Sequence, residues 1–453
     1  MALWKRWKEG AKISENDFDK LLAQRANQLK KEHGIQYTPT EVIPQDAGMA
    51  REIFDAGVDL LIEVGAYCRD TSTVIKFSED EVLNAIRECR SVVFLGSGGD
   101  VVVYRSRGVE DGKRPLICGG PCGCPVSEDL YLDVLTSYAM EGVDAVVSGS
   151  LTSYRGMAVE KGSPIEIAAV MHEVDLTRSA IVRANRAGLC IVGPMSGITA
   201  TALNAALVRG DMRATDLFNI ALLNELKLDL NLLNRLYLLQ QNGALVEIGQ
   251  CPIIGYIGGP EETAIISVAE ILLDYLLGAT CTSTSPVSMH SVSTDRKALW
   301  VAAATLLAVK RSFSPLVDSW IWAGAGPCTE MLCYEIAAHT IVHTVCGVDM
   351  IFSAGCTKGT CTDHYTGMEA RIAREVANAA AKMSIKEATD VVNELLKRYE
   401  DDILKRRAPL GKSFKECYSI REASPSHEYL KVWENVKKSL KELDSKFDFN
   451  DLS

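Results

Sequence analysis

An acidic residue lies inside one of the most apolar segments of the chain. The segment ALVEIG at 244–249 is typical of a buried strand, where Glu247 shares a face with Leu245 and Gly249 because strand side chains alternate. Burial would raise the pKa of the Glu247 carboxyl group and prepare it for general acid or base chemistry. A structural carboxylate, paired with arginine or backbone N–H groups, is the alternative. The sequence leaves both interpretations open.

Carboxylates also begin three predicted helices, directly after glycine or proline, in the strings GGPEET, GPCTE and GME. An acid in the first turn complements the helix dipole, so capping alone would explain them. A position near a substrate would also make Glu261 and Glu330 contacts for a cation. His290, which follows the strand-like segment 279–286, is the histidine best placed for catalysis.

Two groups of side chains have the types that bind zinc. Glu335, His339 and His343 recur at four-residue spacing, so they share one face of a predicted helix. Cysteines cluster after two strand-like segments, at Cys118, Cys122, Cys124, Cys356 and Cys361. Thiolates there would hold zinc and activate an oxygen or sulfur methyl donor. A polar helix face and the packing of small thiols explain both groups without metal, and we favour that interpretation.

Eight short apolar segments must position these residues. They are rich in β-branched residues, bounded by Gly or Pro and too short for helices, as expected of strands buried on both faces. The segments are 91–98, 115–120, 144–150, 189–194, 244–249, 279–286, 315–324 and 349–355. Helical patterns lie between the later ones, at 216–241, 262–277, 295–310, 329–345 and 367–382. This alternation predicts an α/β fold, a (β/α)8 TIM barrel whose active site lies at the carboxyl ends of its strands.

A doubly wound sheet is the main competitor, but the nucleotide-binding motifs are incomplete. The run from Gly96 has Val101 at the last glycine position of G-x-G-x-x-G. A second run, Gly411-Lys412-Ser413, resembles the end of a phosphate-binding loop, but Arg406 holds the place of its first glycine. We therefore predict three parts: an N-terminal helical extension (1–90), the barrel (91–382) and a C-terminal helical extension (383–453).

The amino-acid composition limits the classes of molecule that this protein is expected to bind. The 453 residues include 48 Lys and Arg against 59 Asp and Glu, and the net charge of -11 excludes a general binder of nucleic acid or anionic membranes. The longest apolar run, 298–309, is too short to span a bilayer. Fourteen cysteines are too sparse for a disulfide scaffold, and no secretion signal precedes them. We expect a reduced cytoplasmic protein that acts on a small molecule or a protein.

Several strings resemble the monomethylamine:corrinoid methyltransferases of methylotrophic methanogens. They run in order through most of the chain: GGPCGCPVSED (119–129), VDAVVSGSLTSYRG (143–156), LNELKLDL (223–230), GGPEET (258–263), AGPCTEM (325–331), TGMEAR (367–372) and GKSFKECY (411–418). The resemblance implies a (β/α)8 barrel and a homo-oligomer, which is a hexamer in that family. It also implies a partner, a small cobalamin-carrying corrinoid protein that docks at the barrel mouth and accepts a methyl group on Co(I).

The chain departs from that family where the family carries pyrrolysine, just before a Gly-Pro pair. Val192 occupies the position here, so no electrophilic imine is expected. Two family glutamates fall on Met195 and Gly249, and a pocket glutamine falls near Trp320. Concerted replacement of four polar or reactive groups indicates a pocket rebuilt for another substrate.

A pocket lined by Trp320, Met195 and Val192, with acids nearby, would suit a quaternary ammonium or similar methylated cation. We therefore predict a pyrrolysine-free methyltransferase that moves a methyl group from a small methylated substrate to a partner-borne corrinoid. Its expected catalytic residues are Glu247, His290 and Glu330, with Val192, Met195, Gly249, Glu261 and Trp320 at the substrate. The alternatives are a zinc-dependent transfer from a methanol, methoxy or thioether donor, and a non-catalytic relative that binds a ligand or the corrinoid protein.

Overall fold

Eight parallel strands close into a barrel. The structure, a computed structural model, describes residues 2–449. Its barrel strands are β1 (Leu116–Gly119), β2 (Ala145–Val147), β3 (Cys190–Gly193), β4 (Leu217–Ala221), β5 (Leu245–Gln250), β6 (Cys281–Thr284), β7 (Val317–Trp322) and β8 (Met350–Gly355). Each strand pairs with its neighbour in chain order, and β8 returns to pair with β1. The predicted (β/α)8 barrel is confirmed.

One helix of the outer layer follows each strand. These helices are α1 (Glu128–Ala139), α2 (Pro164–Arg183), α3 (Ala200–Arg209), α4 (Leu230–Gln241), α5 (Pro260–Leu276), α6 (Arg296–Ser312), α7 (Glu330–Val345) and α8 (Gly367–Ala380). Most of α5, α6 and α7 is buried on every side, because further helices cover them. The outer layer of the barrel is therefore itself an interior.

The two flanks supply that cover. The N-terminal helices are Ala2–Glu9, Glu15–Glu32, Ala47–Val64 and Glu79–Glu88, and the third packs on α5 and α6. The C-terminal helices are Ile385–Leu396, Glu400–Leu404, Phe414–Cys417 and His427–Leu443, and the first and last pack on α7. No helix within residues 2–449 is long and apolar enough to cross a membrane.

Short strands outside the barrel complete the chain. Ala11–Lys12, Thr73–Ile75, Ala66–Cys68 and Lys227–Leu228 form one sheet, which joins the N-terminal extension to the loop after β4. Two-stranded pairings join Val92–Leu95 with Val102–Arg105, Pro125–Val126 with Ser150–Leu151, Ser153–Tyr154 with Met157–Ala158, and Tyr418–Ser419 with Ser424–Pro425. Single turns of 3-10 helix occur at Gly98–Asp100 and Cys356–Gly359.

The first predicted barrel strand, 91–98, was wrong. Its residues Val92–Leu95 pair antiparallel with Val102–Arg105 in a hairpin. Val93, Leu95 and Tyr104 project from this hairpin into the apolar cluster that fills the barrel interior. The hairpin therefore plugs the amino-terminal end of the barrel, and the first barrel strand is Leu116–Gly119.

The fourth barrel strand was missed, because the helical prediction at 216–241 covered it. Strand β4 occupies Leu217–Ala221, and α4 begins only at Leu230. The segment LFNIA is nearly all apolar and buried, so its pattern does not distinguish a strand from the start of a buried helix. The missed strand restores the number of barrel strands to eight.

A buried ion pair fastens the plug to the barrel. The Asp349 carboxylate, just before β8, accepts hydrogen bonds from Lys310 Nζ at 2.5 Å and from the N–H groups of Val317 and Arg107, each at 2.6 Å. The Arg107 guanidinium in turn donates to the Val348 carbonyl oxygen at 2.5 Å. One carboxylate thus joins α6, the start of β7 and the segment after the hairpin.

Loss of this ion pair should destabilise the fold. Lys310 and Asp349 are fully buried, so Lys310→Met leaves a buried carboxylate without its cation and should lower the free energy of unfolding by about 3–5 kcal/mol. The control is Lys397→Met, which breaks a surface pair with Glu394 and should cost less than about 1 kcal/mol. Urea denaturation of both variants measures the difference, and equal losses would contradict this role for Asp349.

Candidate active site

Two carboxyl groups lie buried inside the barrel, one on β5 and one on β7. Glu247 on β5 and Asp318 on β7 are both 0% exposed, and strand alternation turns both side chains inward. Neither carboxylate forms an ion pair with a Lys, Arg or His side chain of residues 2–449. Acidic groups in an apolar interior, without a cation of the protein beside them, are unusual.

Each of these carboxyl groups has one oxygen without a hydrogen-bond partner among the described residues. Asn219 Nδ2 donates to Glu247 Oε2, whereas Oε1 has no partner. The Tyr104 hydroxyl donates to Asp318 Oδ2 at 3.4 Å, and Oδ1 has no partner. The barrel therefore offers two unused acceptor oxygens in a buried place.

Burial changes the acidity of the pair. It raises the pKa of Glu247 to about 8, against the opposing hydrogen bond from Asn219. Burial also raises the pKa of Asp318 well above its usual range, and the nearby Glu247 charge raises it further. Two like charges this close cannot both ionise cheaply in an apolar site, so the pair retains protons near neutral pH. A bound cation would reverse that preference.

Gly249 lies where Glu247 and Trp320 meet. A Cβ atom at this glycine would lie 3.1 Å from Glu247 Oε1 and 3.3 Å from Trp320 Cζ2. The carboxylate and the indole ring therefore occupy the space that any larger residue at 249 would need. The tryptophan and the glycine fit each other as one packing unit.

An aromatic wall continues from this point. The Trp320 ring lies 6.0 Å from the Trp322 ring and 5.7 Å from the Phe352 ring, measured between centroids. Trp320 is 9% exposed, and its indole nitrogen has no hydrogen-bond partner within residues 2–449. The arrangement can present an aromatic face beside an acidic group.

Val192 lies near the end of β3, fully buried in the same interior cluster as Trp320. Met195 follows in the adjoining loop and packs against that cluster. The buried Glu173 carboxylate of α2 fixes this loop, because it accepts the N–H groups of Met195 at 2.7 Å and Ser196 at 2.6 Å. The backbone next to Val192 is thus held from outside the barrel.

Two sequence-predicted residues lie elsewhere. The Glu261 carboxylate was expected at the substrate, but it accepts the Tyr37 N–H at 3.1 Å, because the N-terminal extension folds over the start of α5. Glu330 is exposed at the first residue of the outer helix α7. The structure does not bring either residue to the buried carboxyl pair.

His290 occupies the loop after β6 and is partly buried. Its Nδ1 atom has no hydrogen-bond partner within residues 2–449, and its ring forms no hydrogen bond with Glu247 or Asp318. The loop position agrees with the carboxyl end of the barrel, but the histidine stands apart from the carboxyl pair. Of the eight predicted site residues, Glu247, Gly249, Trp320 and Val192 face the barrel interior, and Met195 lies at its rim.

Glu335, His339 and His343 of α7 form packing and hydrogen-bond contacts within the fold. Glu335 accepts the Thr294 hydroxyl and the N–H groups of Gly324 and Ala325, which fixes the loop after β7. The rings of His339 and His343 stack with centroids 3.6 Å apart. Burial lowers the pKa of both histidines, that of His343 to about 4.

The cysteines near the mouth lie among apolar neighbours. Burial raises the pKa of Cys124 to about 12 and raises those of Cys118, Cys122 and Cys356 well above the usual range. Thiols that stay protonated are poor zinc ligands. Within residues 2–449, no group of three or more His, Cys, Asp and Glu side chains has a geometry that could hold a metal ion.

Sequence reasoning missed two residues of the buried site. Asp318 shares the inward face of β7 with Trp320, so strand alternation within the segment 315–324 could have indicated it. Asn219 lies on β4, which the helix predicted at 216–241 conceals. The pairing of Asn219 with Glu247 across β4 and β5 becomes visible only when that strand is placed.

A comparison with known families decides the relationship. The model described as "Monomethylamine methyltransferase MtmB" matches residues 1–444. The chain belongs to the monomethylamine methyltransferase family. The family resemblance and the prediction of a methyltransferase are thereby confirmed.

Relatives of this family match nearly the whole chain. Monomethylamine methyltransferase MtmB1 of Methanosarcina barkeri is 36% identical over 443 residues, 97% of this chain and 96% of that protein. MtmB of Methanosarcina mazei is 35% identical over 443 residues, which again cover 97% of this chain and 96% of that protein. The crystal structure of the Methanosarcina barkeri enzyme superposes with a TM-score of 0.95 at 35% identity, covering 97% of both chains. The hydroxylamine complex of MtmB gives the same values.

The raised pKa of Glu247 should appear in the pH dependence of stability. The folded chain keeps a proton on this carboxyl group up to about pH 8, whereas its ordinary pKa is 4.5. The unfolded state therefore loses the proton first, and this group weakens folding progressively as the pH rises from about 4.5 to 8. The unfolding free energy of Glu247→Gln minus that of the wild type should increase across this window, by at most about 1.4 kcal/mol per pH unit. Urea denaturation at several pH values measures it, and a flat difference would contradict the assignment.

The fit between Gly249 and Trp320 gives a second prediction. Gly249→Ala should destabilise the protein by about 1–3 kcal/mol, because its neighbours must move to admit a methyl group. Gly112→Ala is the control, since no atom lies within 4 Å of its added Cβ. The cost at position 249 should shrink in a Trp320→Ala background, which thermal denaturation of the four variants would measure. An unchanged cost would show that Trp320 does not set the limit.

Proposed function

We propose that this chain is a pyrrolysine-free member of its family that transfers a methyl group from a small methylated cation to a corrinoid on a separate protein. The observation that carries the proposal is the barrel interior. An alkyl side chain, Val192, stands where the resemblance puts pyrrolysine, and two buried carboxyl groups and Trp320 face the same barrel interior.

The carboxyl pair supplies the charge that such a donor requires. A methylated ammonium group beside the free Glu247 Oε1 would favour the ionised carboxylate and release its proton to solvent. Trp320 would add an attractive aromatic face, since a desolvated cation gains about 2 kcal/mol or more from such a ring. Positive charge also activates the methyl group, so no covalent adduct with the protein is needed.

Val192 and Met195 would act as the apolar part of the pocket in this proposal. Valine has no hydrogen-bonding group and the methionine thioether is only a weak acceptor, so both would contact methyl groups rather than hold an N–H group. Gly249 has no side chain, so the Trp320 ring can lie against the backbone at this position. These groups orient the donor and exclude water, which is the main contribution that a protein makes to a methyl displacement.

The mouth of the barrel is suited to a docking protein. Exposed apolar side chains occupy the loops after β2, β3 and β6, with Met157 48%, Ile198 49% and Met289 67% exposed. Such a rim fits a protein surface better than it fits free solvent. When bound, the corrinoid would supply Co(I), the nucleophile that takes the methyl group.

A homo-oligomer is part of the same proposal. The outer face of the plugging hairpin carries Val92, Phe94, Val101 and Val103, which are 46–60% exposed. Phe94 and Val103 are directly paired across the hairpin, so this apolar face is continuous. It lies at the closed end of the barrel, where association would leave the mouth free.

Methyl transfer to free cob(I)alamin tests the function. The chain, produced in a host that cannot insert pyrrolysine, is offered methylamine, dimethylamine, trimethylamine, tetramethylammonium and glycine betaine. At least one donor should convert the cob(I)alamin absorbance to that of methylcobalamin. Glu247→Gln and Trp320→Ala should each lower kcat/KM about tenfold or more, because each removes an interaction with the cation.

Matched controls carry the same chemical changes on the surface. Glu394→Gln and Tyr237→Ala alter an exposed carboxylate and an exposed ring, and both should keep wild-type activity. Failure of every donor would contradict the proposal, and ligand-dependent thermal shifts without turnover would favour the non-catalytic alternative. Turnover that depends on stoichiometric bound zinc would favour the zinc-dependent one.

A further inference from the structure

A cavity opens at the mouth of the barrel. It has a volume of about 200 Å³ and lies between the loops after β6, β7 and β8 and the C-terminal extension. Its lining includes two basic residues, Lys358 and Arg406, and no acidic residue. The adjoining turn packs on Trp322, because a Cβ at Gly359 would lie 2.7 Å from that ring. The cavity is thus a neighbour of the aromatic wall.

The two basic side chains keep their charge unpaired. Neither Lys358 nor Arg406 forms an ion pair within the described part of the chain, whereas their neighbours Lys405 and Arg407 pair with Asp401 and Asp402. In a chain of net charge -11, this cavity therefore carries a local excess of positive charge.

The carboxylate behind one wall of the cavity is already engaged. Glu335 lies behind Gly324, at 3.7 Å from the place of its Cβ. Both oxygens of Glu335 accept hydrogen bonds, from the Thr294 hydroxyl and from the N–H groups of Gly324 and Ala325. The carboxylate is therefore directed at the loop after β7, and the cavity keeps its positive character.

The backbone holds both cations in an unfavourable conformation. Lys358 has a φ of 61° and Arg406 a φ of 55°, in the left-handed region that residues with a Cβ rarely adopt. The Lys358 N–H donates to the Ala323 carbonyl at 2.7 Å, and the Arg406 N–H donates to that of Ile403 at 3.0 Å. Such conformations persist where the surroundings fix them, and they cluster at ligand sites.

We propose that this cavity binds a small oxyanion, a carboxylate or a phosphate group, through Lys358 and Arg406. The arginine fork can engage two oxygens at once, and the lysine supplies a mobile point charge. The hydroxyls of Thr357 and Thr360 already donate to carbonyl oxygens, so charge decides recognition. Loops after the seventh and eighth strands form phosphate sites in many barrels of this type. The inference stands apart from the proposed methyl transfer.

Calorimetric titration of the full chain with inorganic phosphate and with sodium acetate tests the site at low ionic strength, where screening is weak. Wild-type protein should bind at least one of these anions. The double variant K358Q/R406Q should lose about tenfold or more in affinity, as expected when two charge-assisted contacts disappear. The control R421Q/K431Q removes the same charge from two exposed residues of the C-terminal extension that do not line the cavity, and it should bind as the wild type does.

The outcomes separate the two ligand classes. Tighter binding of phosphate assigns a phosphate ligand, and tighter binding of acetate assigns a carboxylate. The proposal would be overturned if neither anion binds the wild-type protein. It would also be overturned if the two double variants lose equal amounts of affinity. All four residues lie in exposed loops or at the surface, so unchanged unfolding temperatures should show that each variant is folded. The measurement needs neither methyl donor nor corrinoid, so it can fail while methyl transfer succeeds.

Discussion

The properties of the site depend on one constraint, the burial of two carboxyl groups in the same apolar barrel. Glu247 and Asp318 have no basic side chain of the described protein beside them, and only neutral groups such as the Asn219 amide and the Tyr104 hydroxyl donate hydrogen bonds to them. In water they would ionise independently, but inside the barrel each negative charge disfavours the other. The carboxyl pair therefore stores protons rather than charge. A cation is the one type of ligand that turns this unfavourable arrangement into a favourable one.

The rest of the fold encloses that interior. The hairpin closes the amino-terminal end of the barrel, and Asp349 ties it to α6 and β7. The extensions bury the outer faces of α5, α6 and α7, so these helices cannot move away from the strands. Glu173 holds the loop beside Val192 in the same way. Positioning the groups of the site is thus shared by elements far apart in the chain.

Much of this architecture could be predicted from local pattern. Seven of the eight apolar segments proved to be barrel strands, since short runs between Gly and Pro indicate buried strands. The segment 91–98 misled because Val92 and Phe94 are apolar although they face outward, at 49% and 60% exposure. Strand β4 was lost because its apolar run continues toward a helix without a change of period.

Side-chain partners were harder to foresee than strands. Glu247 was recognised because a lone acid within an apolar strand is conspicuous from sequence. The partner of Glu261 is Tyr37, more than two hundred positions away, and no local pattern indicates that the N-terminal extension folds over α5. Asp318 obeys the same rule of alternation as Glu247, but Ser319 and two tryptophans share its segment, so an acid is less conspicuous there.

The plugged end of the barrel has a kinetic consequence. Leu95 and Tyr104 fill the amino-terminal opening, so traffic to the buried carboxyl pair must pass through the mouth. In the proposed reaction a docked protein would cover that same passage. Donor entry would then have to precede docking, and the demethylated product would have to wait for the acceptor to depart. The hairpin would thereby impose a compulsory order on the two partners, although it touches neither of them.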